Sequence, residues 1–138
     1  MTRQEQNPAG DQRPLARFEV QEESGVRTIR AHGEIDASNV AELRSATTKL
    51  SNEALGVVLD LDHAEYIDSA TVRILFELRR RLARRGQILQ VVSRSGSNVH
   101  RVLELTGFIA DGDPWPASAP EAAAAIRSRL APDSERPA

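Results

Sequence analysis

The chain has 138 residues, 40% of them apolar and 4% aromatic, enough for one ordinary core and too few for two. Its 18 basic and 20 acidic residues leave a net charge of -2, which argues against the strongly positive field of a dedicated nucleic-acid binder. Cysteine is absent, so disulfides, thiolate chemistry and cysteine-bound metals are excluded, and no stretch approaches the roughly 20 apolar residues that span a bilayer.

The first 14 residues, MTRQEQNPAGDQRP, are polar and carry no apolar segment resembling a signal peptide. A cytoplasmic location without membrane insertion is the expectation. Residues 1–14 and 131–138 bury too little apolar surface to order themselves and read as tails around a single domain over 15–130. Phe18 and Val20, then Ile29, Ala31, Gly33 and Ile35, alternate with polar neighbours across Glu23-Ser24-Gly25, which predicts a hairpin of half-buried strands. Val40, Leu43, Thr47 and Leu50 recur at helical spacing behind two candidate N-caps, Asp36 and Ser38, and predict a helix over 38–51. The run Gly56-Val57-Val58-Leu59-Asp60-Leu61 lacks alternation, as a strand covered on both faces does. Val72, Leu75, Leu78 and Leu82 mark a second helix ending near Gly86, and Ile88 to Val92 forms another buried strand. Ser97 caps a third helix with Val99, Val102, Leu103 and Thr106 on one face. Gly107 stops it, and Phe108 folds back toward Leu103. Ser118 and Glu121 form a capping box around Pro120, starting an Ala-rich helix to about Leu130. The predicted class is α/β: one mixed sheet of four to five strands packed with about four helices.

The informative stretch is Tyr66-Ile67-Asp68-Ser69-Ala70-Thr71-Val72, where a strand's loop delivers the chain into the second helix. Ligands and partners of open α/β sheets gather at the carboxyl ends of strands, and a helix N-terminus offers N–H groups and a positive dipole end. A phosphate added to a serine there brings about -1.5 to -2 charge without unfolding the helix. Asp and Ser are also the commonest N-caps, and plain capping accounts for the same pattern.

Ile67-Asp68-Ser69-Ala70 resembles the Asp-Ser-Ser-Gly signature of the anti-sigma factor antagonists, members of the STAS family. Gly33-Glu34-Ile35-Asp36 resembles that family's Gly-Glu-Leu-Asp segment, and Leu105-Thr106-Gly107-Phe108 its Leu-x-x-Gly-hydrophobic helix end. The likeness runs from about Phe18 to Leu130. It implies a STAS domain that is not an enzyme and takes no cofactor, with Ser69 as the phosphorylation site. It implies a partner surface of Asp36, Asp68, Ser69, Ala70 and Thr71. The implied partner is an anti-sigma factor with serine-kinase activity, bound by the unphosphorylated protein and released on phosphorylation, with a phosphatase as the reset. The chain departs from the signature in having Ala70 for the second serine and Thr71 for the glycine. A branched β-carbon at Thr71 is expected to narrow the approach of a partner, and its hydroxyl is a second candidate phosphate acceptor. The alternative function is a STAS scaffold subunit of a signalling or transport complex that does not switch through phosphate.

Other signals carry less. Arg79, Arg80, Arg81, Arg84 and Arg85 are read as the solvated face of the second helix, and direct nucleic-acid binding is not expected. His32, His63 and His100 lack metal-ligand spacing, so no metal is expected. A Ser69–His63–Asp hydrolase triad lacks a Gly-x-Ser-x-Gly elbow. Trp115, in Asp-Pro-Trp-Pro, is read as packing on the core edge.

Overall fold

Strand β1 (Ala16–Glu23) turns through Ser24 and Gly25 into β2 (Val26–Ile35). Both turn residues have positive φ, 52° and 84°, the two-residue turn whose twist matches paired antiparallel strands. Then follow α1 (Val40–Thr48), β3 (Gly56–Ile67), α2 (Ser69–Arg84), β4 (Ile88–Val92), α3 (Asn98–Leu105) and α4 (Ala119–Arg129). This computed structural model describes residues 15–110 and 115–129; the expected tails and Leu130 lie outside the described residues. The sheet order is β1-β2-β3-β4, with β1 antiparallel to β2 and the other pairs parallel, so among the described residues the expected mixed α/β sheet has four strands and packs with four helices.

Alternation along the strands divides the core in two. Ile29, Ala31, Val57, Leu59, Leu61, Leu89 and Val91 meet Leu43 of α1, Leu75, Leu78 and Leu82 of α2, and Val99 and Leu103 of α3. On the other face Val26, Val58 and Val92 meet Ala119, Ala122, Ala123 and Ile126 of α4. The alanines give α4 a thin side-chain layer over the sheet. Ser118 Oγ accepts from the Glu121 amide at 3.2 Å, and Glu121 reaches back to the Ala117 amide at 3.4 Å, so the capping box forms one residue earlier than Ser118's own amide.

Two glycines are required by backbone approach. A β-carbon on Gly33 (φ 89°) would lie 2.2 Å from the Leu15 carbonyl oxygen, and one on Gly56 would lie 2.2 Å from that of Ile88. Gly33 sits between shifts in the β2–β3 register at Arg30/His32 and Gly33/Glu34, which bring both strands to end level at Ile35 and Ile67.

Four expectations need correction. Strand β3 runs to Ile67 rather than stopping near Leu61, because the register shifts let His63, Ala64, Tyr66 and Ile67 keep pairing with β2. Helix α1 covers Val40–Thr48, not 38–51: Asp36 bonds the Ser38 amide and hydroxyl and holds 36–39 as a turn, and Leu50 reaches the core from outside the helix. Val20 is 48% exposed because β1 is an edge strand over which no helix packs extensively. Arg79 is not on a solvated face. Its guanidinium lies 3.8 Å from the Phe108 ring centroid and donates to the Phe108 carbonyl at 3.3 Å, a cation–π seat, whereas Arg80, Arg81, Arg84 and Arg85 are exposed.

On the α4 face, Asp60 is 5% exposed and pairs with Arg30 at 3.3 Å. Burial, then the neighbouring Asp60 charge, push the Asp62 carboxyl above its ordinary pKa, and its Oδ1 is buried without a hydrogen-bond partner. A carboxyl raised in this way favours the folded state when protonated and weakens it once ionised. Asp62→Asn is therefore expected to raise the melting temperature at pH 7, with the gain fading as pH falls through the carboxylate range; a loss at pH 7 would contradict this. Ile126→Ala should cost about 2–5 kcal/mol in chemical denaturation. A cost below about 1 kcal/mol would mean that α4 does not seal the second face.

Candidate functional site

Level strand ends determine what meets at the carboxyl edge of the sheet. Ile35 pairs with Ile67, so the residues that follow, Asp36 and Asp68, leave neighbouring strands side by side. After β2 the chain makes a tightly bonded turn. Asp36 Oδ1 accepts from the Ser38 amide (2.9 Å) and hydroxyl (2.5 Å), while the Asp36 amide donates to Asn39 Oδ1 (3.0 Å). The Asn39 side-chain amide donates to the Glu34 carbonyl at 2.9 Å. Asn39, at the N-cap position of α1, makes no side-chain bond to the helix; Asp36 and Ser38 are not its caps either, because they are bonded to each other.

After β3, the cap of α2 is Asp68, and Ser69 is the first helical residue. Asp68 Oδ1 accepts from the Thr71 amide and from the Thr71 hydroxyl, both at 2.8 Å. Asp68 Oδ2 accepts from the Ala37 amide at 3.2 Å, across 31 residues of sequence. One half-buried carboxylate thus joins the β2–α1 turn to the start of α2. Burial alone would raise the Asp68 carboxyl, but the hydrogen bonds from Thr71 and Ala37 outweigh it and hold the pKa below its ordinary value.

The five expected site residues fall into two groups. Asp36, Asp68, Ser69 and Ala70 reach the surface at this edge, with Ser69 exposed and without a hydrogen-bond partner for its hydroxyl among the described residues. Thr71 is 1% exposed, and its hydroxyl lies between Asp68 Oδ1 and the Ile35 carbonyl at 3.1 Å. The branched β-carbon expected to narrow the approach is turned into the protein. Sequence reading missed the Ala37 amide and the Thr71 hydroxyl as partners of Asp68. The signal was present in the three-residue spacing from Asp68 to Thr71, that of an N-cap to its N3 position.

Two other polar groups lie away from this edge. His63 stacks on His32 with ring centroids 5.1 Å apart, beside a cleft of about 630 Å³ that Asp62, Arg94 and Ser97 also line, so it is not joined to Ser69 as a triad. Ser93 Oγ meets His100 Nδ1 at 2.8 Å, His100 Nε2 lies 3.6 Å from Glu104, and Trp115 closes over them, its Nε1 donating to the Ser93 carbonyl at 3.3 Å. Ser93 is 4% exposed, so this group anchors Trp115 to the core edge, as expected of that residue. Among the described residues no three His, Asp or Glu side chains are placed to hold a metal ion, and no helix is long and apolar enough to cross a membrane.

Losing the Asp68 carboxylate should loosen both segments together. Asp68→Ala is expected to cost about 0.5–2 kcal/mol in denaturation, as N-cap removals do. Because the folded pKa of Asp68 is depressed, its contribution is present above the ordinary carboxylate range and lost as pH falls below it. The wild-type advantage over Asp68→Ala should therefore shrink with acidification; a constant difference from pH 7 to pH 3 would contradict the assignment.

Comparison with known proteins agrees with this geometry. The STAS domain profile matches residues 17–116. An anti-sigma factor antagonist from Mycobacterium paratuberculosis is similar in structure, with 25% identity, coverage of 81% of this chain and 94% of that one, and a TM-score of 0.68. SpoIIAA is similar in fold in its unphosphorylated form (20% identity, 81% and 97% coverage, TM-score 0.65) and, from Bacillus, in its phosphorylated form (19%, 80% and 100%, 0.61). So is a sulfate transporter family protein from Wolinella succinogenes (18%, 77% and 88%, 0.65). No curated protein matches the chain. With the profile running through all four strands and past the Asp68–Thr71 cap, this chain belongs to the STAS domain family.

Proposed function

We propose that this chain is an anti-sigma factor antagonist that works by binding and not by catalysis. In this reading the unphosphorylated protein docks an anti-sigma factor with serine-kinase activity on the edge formed by Asp36, Asp68, Ser69 and Ala70, freeing a sigma factor for transcription. Phosphorylation of Ser69 releases the partner, and a phosphatase restores binding. The observation that carries the reading is the exposed Ser69 hydroxyl at the first position of α2, beside the Asp36 turn that Asp68 ties to it.

The physics of the exchange is local. A hydroxyl is small, and a docked partner can close over it. A phosphate adds about two negative charges and three acceptor oxygens at a helix N-terminus, where the free N–H groups and the dipole favour an anion. The folded state tolerates the change. The partner meets a bulky dianion next to the carboxylates of Asp36 and Asp68, and its closest contacts are lost. The likeness to an anti-sigma factor antagonist at 25% identity supports this partner class. The scaffold alternative would be favoured by a Thr71 side chain that blocked the approach to Ser69, and Thr71 instead faces inward.

The reading is tested by intact-mass and peptide mapping of the chain isolated from its native host in growth and under stress. One phosphate on Ser69, varying with condition and absent from Ser69→Ala, is expected. Phosphate retained by Ser69→Ala, or none on the wild type in any condition, would overturn it.

A further inference from the structure

The Thr71 side chain is a member of this edge that the switch does not use and that nonetheless lies within reach of two acceptors. It occupies the third helical position of α2, is 1% exposed, and supplies both its amide and its hydroxyl to the same oxygen, Asp68 Oδ1. The hydroxyl has a single proton and two acceptors within reach, Asp68 Oδ1 at 2.8 Å and the Ile35 carbonyl at 3.1 Å. Either choice anchors the start of α2, to its own cap or to the last residue of β2.

When the hydroxyl donates to Asp68, two donors from one residue hold Oδ1 and restrict the rotation of the carboxylate. The second oxygen then points where the first dictates, and here it points at the Ala37 amide. Without the hydroxyl, the amide alone would let the carboxylate turn. The Ala37 bond, already the longest of the three at 3.2 Å, would be the first to open.

We infer that Thr71 is the positioning residue of this site: its buried hydroxyl orients Asp68, which locks the Asp36–Asn39 turn to the α2 start and leaves Ser69 the one exposed hydroxyl in the first turn of α2. The inference deepens the reading of Ser69 as a switch and rests on it. Ala70 has no hydroxyl, and a dianion on Thr71 would have to fit a position closed to solvent between β2 and α2. The threonine that stands where the resembling signature has glycine is in this account the device that steadies the acceptor, and not an obstacle beside it.

The test uses the full chain with Thr71→Val, which keeps the shape and removes the hydroxyl, and Thr71→Ser, which keeps the hydroxyl. Amide hydrogen exchange at Ala37 and the carboxyl-carbon NMR titration of Asp68 read the geometry without any partner. In Thr71→Val, exchange at Ala37 should quicken about fivefold, as loss of one net hydrogen bond implies, and the Asp68 titration should move up. Thr71→Ser should restore both. Phosphate occupancy of Ser69 in protein isolated from the native host should fall several-fold in Thr71→Val and recover in Thr71→Ser. Unchanged Ala37 exchange and Asp68 titration in Thr71→Val would overturn the inference. So would altered exchange with unaltered occupancy, or phosphate found on Thr71. Absence of phosphate from the wild type overturns the switch itself and the acceptor role with it, while the exchange and titration still decide whether Thr71 orients Asp68.

Discussion

The arrangement at the carboxyl edge of the sheet depends on one carboxylate. Asp68 accepts three hydrogen bonds from two segments that are 31 residues apart at their closest bonded pair, Ala37 and Asp68. Its two oxygens divide the work. Oδ1 satisfies the Thr71 amide, a donor at the start of α2 that would otherwise be orphaned, and Oδ2 holds the turn after β2. A neutral acid could not accept so well at both, and the same hydrogen bonds that need the charge keep the pKa low despite burial.

The sheet makes that contact possible. Parallel pairing of β2 and β3 puts both carboxyl ends on one edge, and the two register shifts bring Ile35 level with Ile67. Gly33 lets β1 approach closely enough for the Glu34 amide to reach the Leu15 carbonyl at 2.9 Å. Gly56 lets β4 close on the other end of β3. The helices α1 and α2 then press one face, joined at their surfaces by Arg44 and Glu77 at 3.2 Å, while α4 seals the other through small side chains. Rigidity in this frame is what the proposed role of Ser69 as a binding determinant requires.

Much of this could be read from residues, and the exceptions share a cause. Helical periodicity at Val72, Leu75, Leu78 and Leu82 and the continuous apolar run from Gly56 were sufficient for α2 and the core of β3, because burial imposes those patterns directly. The continuation of β3 through Asp62, His63 and Glu65 was not legible. Past Leu61 the register shifts leave the buried positions at Ala64 and Ile67, so the two-residue alternation of hydrophobicity vanishes. Asp36 and Ser38 looked like caps because their chemistry suits capping, yet they bond each other. Ser69 and Asp68 are both good caps, and only the bonds to Thr71 decide between them. The inward turn of Thr71 is a matter of helix phase at a boundary, where a shift of one residue turns each side chain by about 100° around the axis.

In the proposed function the partner reads the Ser69 hydroxyl on a surface fixed by Asp68. The most direct measurement is the Kd of the anti-sigma factor kinase for this chain, unmodified and stoichiometrically phosphorylated on Ser69, at one ionic strength. Weakening by about tenfold or more on phosphorylation is the predicted result. Equal affinities for the two forms would contradict it.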